Sequence, residues 1–286
     1  MSDIRTGLVL EGGSMRGLFT TGVLDVFLEN GIEFDGAVGV SAGAVFGCNY
    51  KSKQKGRALR YNKRFCQDKR YCSIENLIKT GDLFGIDFCY RKIPYMLDIW
   101  DEKTYRENPM KFYVTCTNVV TGKPVYKLCR TGDAKDIQWF RASASIPMLS
   151  RVVKVDGKML LDGGIGDSIP LKYMEKKGYN RNLVILTQPL EYVKKKNKFI
   201  PFAKLLLHKY PNMVKALANR HNMYNAETKY VREKELAGEI LVIRPEKPLD
   251  VSGIVRDPDR LERAYQQGRK VALKRLDEIK KYLEMY

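Results

Sequence analysis

Two short apolar runs, each opening through glycine into a helical pattern, constrain this chain most tightly. The first, Gly7-Leu8-Val9-Leu10, enters the turn-rich stretch Glu11-Gly12-Gly13-Ser14-Met15-Arg16-Gly17. Leu18, Phe19, Val23, Leu24, Phe27 and Leu28 then recur at three- and four-residue spacings until Asn30-Gly31 supplies a stop. The second run, Ala37-Val38-Gly39-Val40, leads straight into Ser41, after which 42–49 again reads as helix. Strand, helix and strand over about 30 residues make a parallel crossover unit. Parallel strands carry their C-terminal ends to one edge of the sheet, so the glycine-rich loop and Ser41 are expected to meet.

Further strands are expected at 112–118, 125–129, 152–155, 159–161, 183–187 and 240–243, with hairpin turns at 119–124 and 156–157. Helices fit 135–142, 171–177, about 202–236 and 259–285. No internal repeat and no Pro/Gly/Ser-rich linker divides the chain. The pattern predicts a single α/β domain over 1–286, with a motif-bearing core at about 5–186 and a mainly helical extension at about 190–286 wrapped against the same sheet.

Composition narrows the class. The 286 residues hold 51 Lys+Arg against 33 Asp+Glu, a formal charge of 51 − 33 = +18, and 44% are hydrophobic, so a substantial core is available. No window approaches the ~18 apolar residues of a membrane-spanning helix. Met1 to Gly7 has neither the basic start nor the apolar stretch of a signal peptide, which places the protein in the cytoplasm. The six cysteines are expected as reduced thiols. They form no C-x-x-C pair, and none follows Cys129, so no metal and no cofactor is expected. A Ser-His-Asp triad would have to use His208 or His221, since the chain has two histidines. Both read as packed or solvated helix residues.

Ser41 sits in Gly39-Val40-Ser41-Ala42-Gly43, a G-x-S-x-G pattern. A serine on a strained strand-to-helix turn needs nearly side-chain-free neighbours two residues away on each side. The bland alternative is a tight turn with a capping serine. The loop Gly12 to Gly17 departs from the dinucleotide fingerprint, because Ser14 holds its third position, and from the P-loop, because Arg16-Gly17-Leu18 replaces G-K-[ST]. The remaining job is an oxyanion hole, in which amides of the Gly12-Gly13 stretch join that of Ala42. A plain glycine-rich turn is the competing reading. Asp162 ends the run Lys158-Met159-Leu160-Leu161 and precedes Gly163-Gly164, so a strand delivers a carboxylate to backbone free of side chains. Without a nucleophile upstream it would read as a turn aspartate.

These blocks together resemble the patatin-like phospholipase family of the bacterial, cytoplasmic type. The agreement lies in the acidic-Gly-Gly-x-x-Arg-Gly loop at Glu11 to Gly17, the elbow at Ser41 and the D-G-G block at Asp162. Ala142-Ser143-Ala144-Ser145-Ile146-Pro147 also resembles the segment that precedes the family's aspartate. The resemblance covers roughly 5–186 and implies a three-layer α/β/α sandwich with a mainly parallel sheet, a Ser-Asp dyad without histidine, and hydrolysis of acyl esters of lipids. Carried over by position, it implies Ser41 as nucleophile, Asp162 as base, Gly12, Gly13, Ser14 and Ala42 as oxyanion donors, and Arg16 and Gly17 as support for the loop. Ser14 stands where the family commonly has a third glycine. The last third, 190–286, carries no motif.

The segment 51–70 holds nine basic residues and one acid, interleaved with Tyr61 and Phe65. It reads as a solvated or membrane-facing segment on the rim of the active-site mouth, and no nucleic-acid motif accompanies it. The aromatic-rich stretch 84–100 is expected to pack in the core, with an acyl groove or lid as the alternative. The combined expectation is a serine acyl hydrolase that works on lipid esters through an acyl-enzyme and contacts the anionic inner face of the membrane peripherally. The competing expectation is a non-catalytic basic module that docks on anionic membrane or nucleic acid.

Overall fold

Short strands that bury both faces need helices on each side. The computed structural model, which describes residues 4–251 and 253–284, has that arrangement. Its eight strands are β1 (Thr6–Leu10), β2 (Gly36–Val40), β3 (Lys111–Asn118), β4 (Pro124–Cys129), β5 (Val153–Val155), β6 (Lys158–Asp162), β7 (Arg181–Ile185) and β8 (Ile240–Ile243). The strands β3, β2, β1, β7 and β8 lie side by side and parallel, whereas β4, β5 and β6 pair antiparallel at the other end. Every residue of β2 and of β7 is buried. On β1, Leu8 and Leu10 enter one apolar core and Val9 the other, so successive side chains serve opposite helical layers.

The helices are α1 (Gly17–Glu29), α2 (Ala42–Lys51), α3 (Arg57–Phe65), α4 (Ile74–Thr80), α5 (Glu102–Glu107), α6 (Ala134–Ser143), α7 (Leu171–Lys176), α8 (Ile200–Leu206), α9 (Pro211–Leu236), α10 (Pro258–Lys274) and α11 (Leu276–Glu284). A wide-turned π-helical stretch, Phe88–Leu97, carries Pro94 inside it. The first layer contains α1, α2, α6 and α10, and the second contains α7 and α9. The fold is thus the expected α/β/α sandwich with a mainly parallel sheet.

Two register facts place the site. Moving outward from β1, the chain goes to β2 on one side and β7 on the other, so the loop after β1 lies at a topological switch point, where open α/β sheets bind their ligands. In addition, β4 occupies one edge of β3 from Phe112 to Thr117, which leaves the other edge to β2 and β6 together. They share it end to end: Val40 pairs with Thr115 and Asp162 with Cys116. Two strands far apart in sequence therefore stop at adjacent positions of one ruler, one just before Ser41 and the other on Asp162.

The structure also departs from the sequence reading. The helix expected at about 202–236 is two helices, because Pro211 starts α9 afresh after a turn at 207–210. The helix expected at 259–285 breaks at Arg275, and Met285 lies outside the described residues, as do Met1 to Asp3, Ser252 and Tyr286. The segment 51–70 is exposed in part, but many of its cations are paired. Lys53, Lys55, Arg57, Arg60, Lys63 and Arg70 each pair with a carboxylate, and Arg57 with its partner Asp98 is buried. Six of the segment's nine cations are paired within the molecule, with Glu33, Glu29, Asp98, Glu262 and Asp68, and Lys51, Arg64 and Lys69 have no carboxylate partner among the described residues.

Candidate active site

Ser41 is the single residue between β2 and α2, with φ +53° and ψ −119°, a backbone conformation that costs about 1–3 kcal/mol for a residue with a side chain. The flanking glycines make the turn possible by close approach. A Cβ on Gly39 would sit 2.5 Å from the Gly43 carbonyl, and one on Gly43 would sit 2.3 Å from the Leu10 carbonyl. The turn is held by Ser143 at the end of α6. The Ser41 amide donates to the Ser143 hydroxyl at 2.8 Å, and that hydroxyl donates to the Thr115 carbonyl at 2.6 Å. The Ala44 and Val45 amides donate to the Ser41 carbonyl at 3.0 Å, which leaves the amides of Ala42 and Gly43 as the free donors at the helix N-terminus.

Asp162 is buried at the end of β6. Its amide donates to the Ser145 carbonyl at 2.8 Å, so the 142–147 stretch grips both Ser41 and Asp162. The carboxylate accepts the Gly164 amide at 2.8 Å and lines the same cavity as Ser41. Burial holds the Asp162 carboxyl above the usual carboxylate range, while the Arg220 guanidinium, the Ser41 hydroxyl and the Gly164 amide pull it back. Neither histidine lines the two cavities that meet at Ser41.

The loop after β1 lies across the elbow. A Cβ on Gly12 would fall 2.9 Å from the Ser41 Cβ, and Gly13 has φ +156°. The amides of Gly12, Gly13 and Ser14 have no hydrogen-bond acceptor among the described residues, although all three residues line the cavity at Ser41. Ser14 accommodates its side chain at φ +53°, in the left-handed region, and its hydroxyl donates to the Gly253 carbonyl at 2.5 Å. Gly17 begins α1, where a Cβ would lie 2.7 Å from that of Ala42. Arg16 lies against the loop, where a Cβ on Gly13 would fall 3.2 Å from its terminal nitrogen. The Arg16 amide donates to the Gly13 carbonyl at 3.1 Å, while its side chain makes no hydrogen bond or ion pair among the described residues and its buried Nε has no partner. The anchor is Glu11, whose carboxylate accepts the Thr187 amide at 2.6 Å and the Tyr224 hydroxyl at 2.7 Å, while Thr187 also donates to the Gly12 carbonyl at 2.8 Å.

Ser41 stands where two cavities meet. One is mainly apolar and runs between α2, α6 and the π-helical stretch, with Phe46, Tyr61, Phe84, Ile93 and Phe140 among its walls. The aromatic-rich stretch therefore lines a cavity as well as packing the core, since Phe88 and Ile93 are also buried. The other cavity holds Asp162 and is bordered by Arg16, Lys194 and Arg220. From sequence, Lys194-Lys195-Lys196 reads as a solvated loop and Arg220 carries no signal, because both lie in the motif-free third; in the structure Lys194 is half-buried. Ser143, by contrast, was within a stretch already marked.

With this geometry in hand, comparison with known proteins is direct. The model of the patatin-like phospholipase family matches residues 8–174, more than half of the chain, and the chain belongs to that family. A second model, described as a domain of unknown function (DUF6363), matches residues 210–284. The chain is 27% identical over 279 residues to the uncharacterized protein YjjU of Escherichia coli K12, which covers 93% of this chain and 75% of that protein. It is 28% identical over 186 residues to lysophospholipase NTE1 of Meyerozyma guilliermondii, covering 62% of this chain and 12% of that protein. It is also 28% identical over 184 residues to the uncharacterized NTE family protein Mb1092c of Mycobacterium bovis, covering 64% of this chain and 49% of that one. Among solved structures, VipD from Legionella pneumophila aligns with a TM-score of 0.48 and 14% identity, over 96% of this chain and 67% of that chain. Among the described residues no helix is long and apolar enough to cross a membrane.

Proposed function

We propose that this protein is a serine acyl hydrolase that cleaves carboxylic esters of lipids through a Ser41-Asp162 dyad. The observation that carries the reading is that Ser41 and the buried Asp162 line one cavity, brought there where β2 and β6 end at adjacent positions of β3. Asp162 takes the hydroxyl proton as Ser41 Oγ bonds to the ester carbonyl carbon. The charge on the carbonyl oxygen is held by amides of Gly12, Gly13, Ser14 and Ala42, preorganised at the loop and at the α2 N-terminus. Collapse expels the alcohol, which takes its proton from Asp162, and leaves the acyl group on Ser41. Water then attacks the acyl-enzyme with Asp162 again accepting the proton, and collapse breaks the bond from Ser41 Oγ to the acyl carbon, releasing the carboxylic acid as Asp162 returns the proton to Ser41. The apolar cavity supports placement of the acyl chain there, and the name lysophospholipase carried by the fungal relative supports a monoacyl substrate.

A long-chain lipid presents itself as a surface, and α8 suits that surface better than 51–70. Phe199, Phe202, Leu205 and Leu206 are exposed there, and Lys195, Lys196, Lys198, Lys204 and Lys209 have no carboxylate partner among the described residues. Aromatic and aliphatic side chains beside unpaired lysines fit an anionic lipid surface.

A fluorophosphonate probe tests the mechanism, because it labels an activated serine. Wild type is expected to be labelled and to hydrolyse a short p-nitrophenyl ester, while Ser41→Ala does neither and keeps its fold. Asp162→Asn is expected to lose several orders of magnitude in turnover, and His208→Ala and His221→Ala less than about tenfold. Undiminished turnover by Ser41→Ala overturns the assignment, and absence of labelling in wild type leaves the binding-module alternative.

A further inference from the structure

Three cations converge on the cavity that holds Ser41 and Asp162, and nothing in the protein neutralises them fully. Arg16 comes from the loop after β1, Lys194 from the segment after β7, and Arg220 from α9. None has an ion-pair partner among the described residues. The buried Nε of Arg16 lacks any acceptor. Arg220 uses its Nε on the Gly164 carbonyl at 2.6 Å, which leaves its terminal nitrogens uncommitted. Lys194 sits with its ammonium 4.3 Å from the Tyr224 ring centroid and 5.5 Å from that of Tyr192, held in place without a counterion. The acids lining the same cavity are Glu11 and Asp162. Both oxygens of Glu11 are engaged by Thr187 and Tyr224, and Asp162 accepts the Gly164 amide.

Three cations against two carboxylates leave an excess of positive charge in a partly buried cleft, which is costly unless a ligand supplies the balance. Burial and the neighbouring Arg220 and Arg16 guanidiniums press the Lys194 ammonium down to about 8 even though the Glu11 carboxylate pulls it the other way. The other cavity at Ser41 has the opposite character. Its cation, Arg57, is already tied to Asp98 and Asn49. An ester placed across Ser41 therefore has a dry side for its acyl chain and a cationic side for its alcohol.

We propose that Arg16, Lys194 and Arg220 form an oxyanion subsite that binds a phosphate group on the alcohol side of the substrate. The inference rests on the acyl hydrolase reading for its meaning in catalysis, but the subsite itself is a binding claim. It also gives the motif-free third of the chain a role, since Arg220 lies within the stretch matched as a domain of unknown function and reaches the catalytic pocket from α9. Guanidinium pairs suit tetrahedral oxyanions, and a lysine adds a point charge.

Two measurements test it. The first compares monobutyrylglycerol with monobutyrylglycerol 3-phosphate, both soluble, in the full-length protein. Wild type is expected to favour the phosphate ester in kcat/KM by at least tenfold, mainly through KM. Lys194→Met and Arg220→Gln, which keep the stem and the bond to Gly164 respectively, are each expected to reduce that ratio severalfold. Because the ratio compares two esters on one enzyme, any effect on Asp162 cancels. The second titrates inorganic phosphate into Ser41→Ala by calorimetry, with Ser41→Ala/Lys194→Met expected to bind at least tenfold more weakly. Phosphate-ester preference without binding of inorganic phosphate assigns the site to a lipid headgroup. Binding without preference assigns it to free phosphate or a phosphate-bearing product. Neither preference nor binding overturns the subsite, whereas failure of wild type to cleave even the neutral ester overturns the hydrolase reading and leaves calorimetry to judge the subsite.

Discussion

Asp162 shows how much at this site is decided by a single residue's surroundings. Its carboxylate must be ionised to accept the Ser41 proton, and burial lifts it above the ordinary aspartate value of about 3.9. Activity on a soluble ester is therefore expected to fall on the acid side with a midpoint above that value. The facing charge that opposes the lift is Arg220, so Arg220→Gln should move the midpoint to higher pH. A pH profile of kcat/KM in which the variant's midpoint stays in place or moves down would remove Arg220 from this role. Ser143 is the second such residue. Replacing it with alanine strands the Ser41 amide in a buried position, at a cost of about 1–3 kcal/mol, and frees the elbow. Ser143→Ala is expected to lower both the unfolding midpoint in urea and kcat, while Ser143→Thr, which keeps the hydroxyl, restores much of each.

At the scale of elements, α9 does the work that no motif announced. Arg220, Tyr224 and Glu227 fall three and four residues apart, on one face of the helix, and reach Gly164, Glu11 and the Ser168-Ile169 amides respectively. That face is polar and yet it packs against the catalytic loops, so a search for apolar periodicity passes over it. Glu227 accepts both amides at 3.1 Å and adjoins Asp167, which in turn accepts the Tyr126 hydroxyl. Burial and the nearby Asp167 push the Glu227 carboxyl up to about 9. Its folded value therefore exceeds its unfolded value of about 4.3, so the folded state keeps a proton that the unfolded state loses. Stability from this group is full below the unfolded value and is lost as pH rises towards 9, by at most about 1.4 kcal/mol per pH unit. Glu227→Gln keeps the donor and acceptor without the titration. Thermal melts from pH 5 to 9 are expected to be flatter for the variant, which should be the more stable protein at pH 9. A steeper dependence in the variant would contradict the shared-proton arrangement.

For the whole molecule, the net charge of +18 is a sum whose location matters more than its size. Much of the positive charge in 51–70 is consumed by ion pairs, including a buried one, whereas the lysines around α8 face solvent beside exposed Phe199, Phe202, Leu205 and Leu206. Reversing Lys195, Lys196, Lys198 and Lys204 to glutamate is expected to abolish co-sedimentation with anionic vesicles and leave the fold intact, as read by circular dichroism. Reversing Arg57 and Arg60 would instead place like charges around buried Asp98 and unfold the region. Binding that falls as salt rises from 50 to 500 mM and is absent on neutral vesicles supports the α8 surface. Unaltered vesicle binding in the lysine variant overturns it.

The sequence by itself determined the strand-turn-helix at Ser41, the glycine loop after β1, the strand ending at Asp162 and the α/β class. Each is a local pattern in which glycine position and apolar periodicity speak directly to backbone geometry. What only the tertiary structure decided is which distant groups meet there. The register of β2 and β6 on a common edge of β3 sets Ser41 beside Asp162, and register is a property of pairing that neither strand carries alone. Likewise the roles of Glu11, Lys194 and Arg220, and the internal pairing of the cations in 51–70, depend on partners up to 213 residues away. A charged side chain has no periodic signature, and whether it is solvated, paired or waiting for a ligand is fixed by what the fold brings within a few ångströms of it.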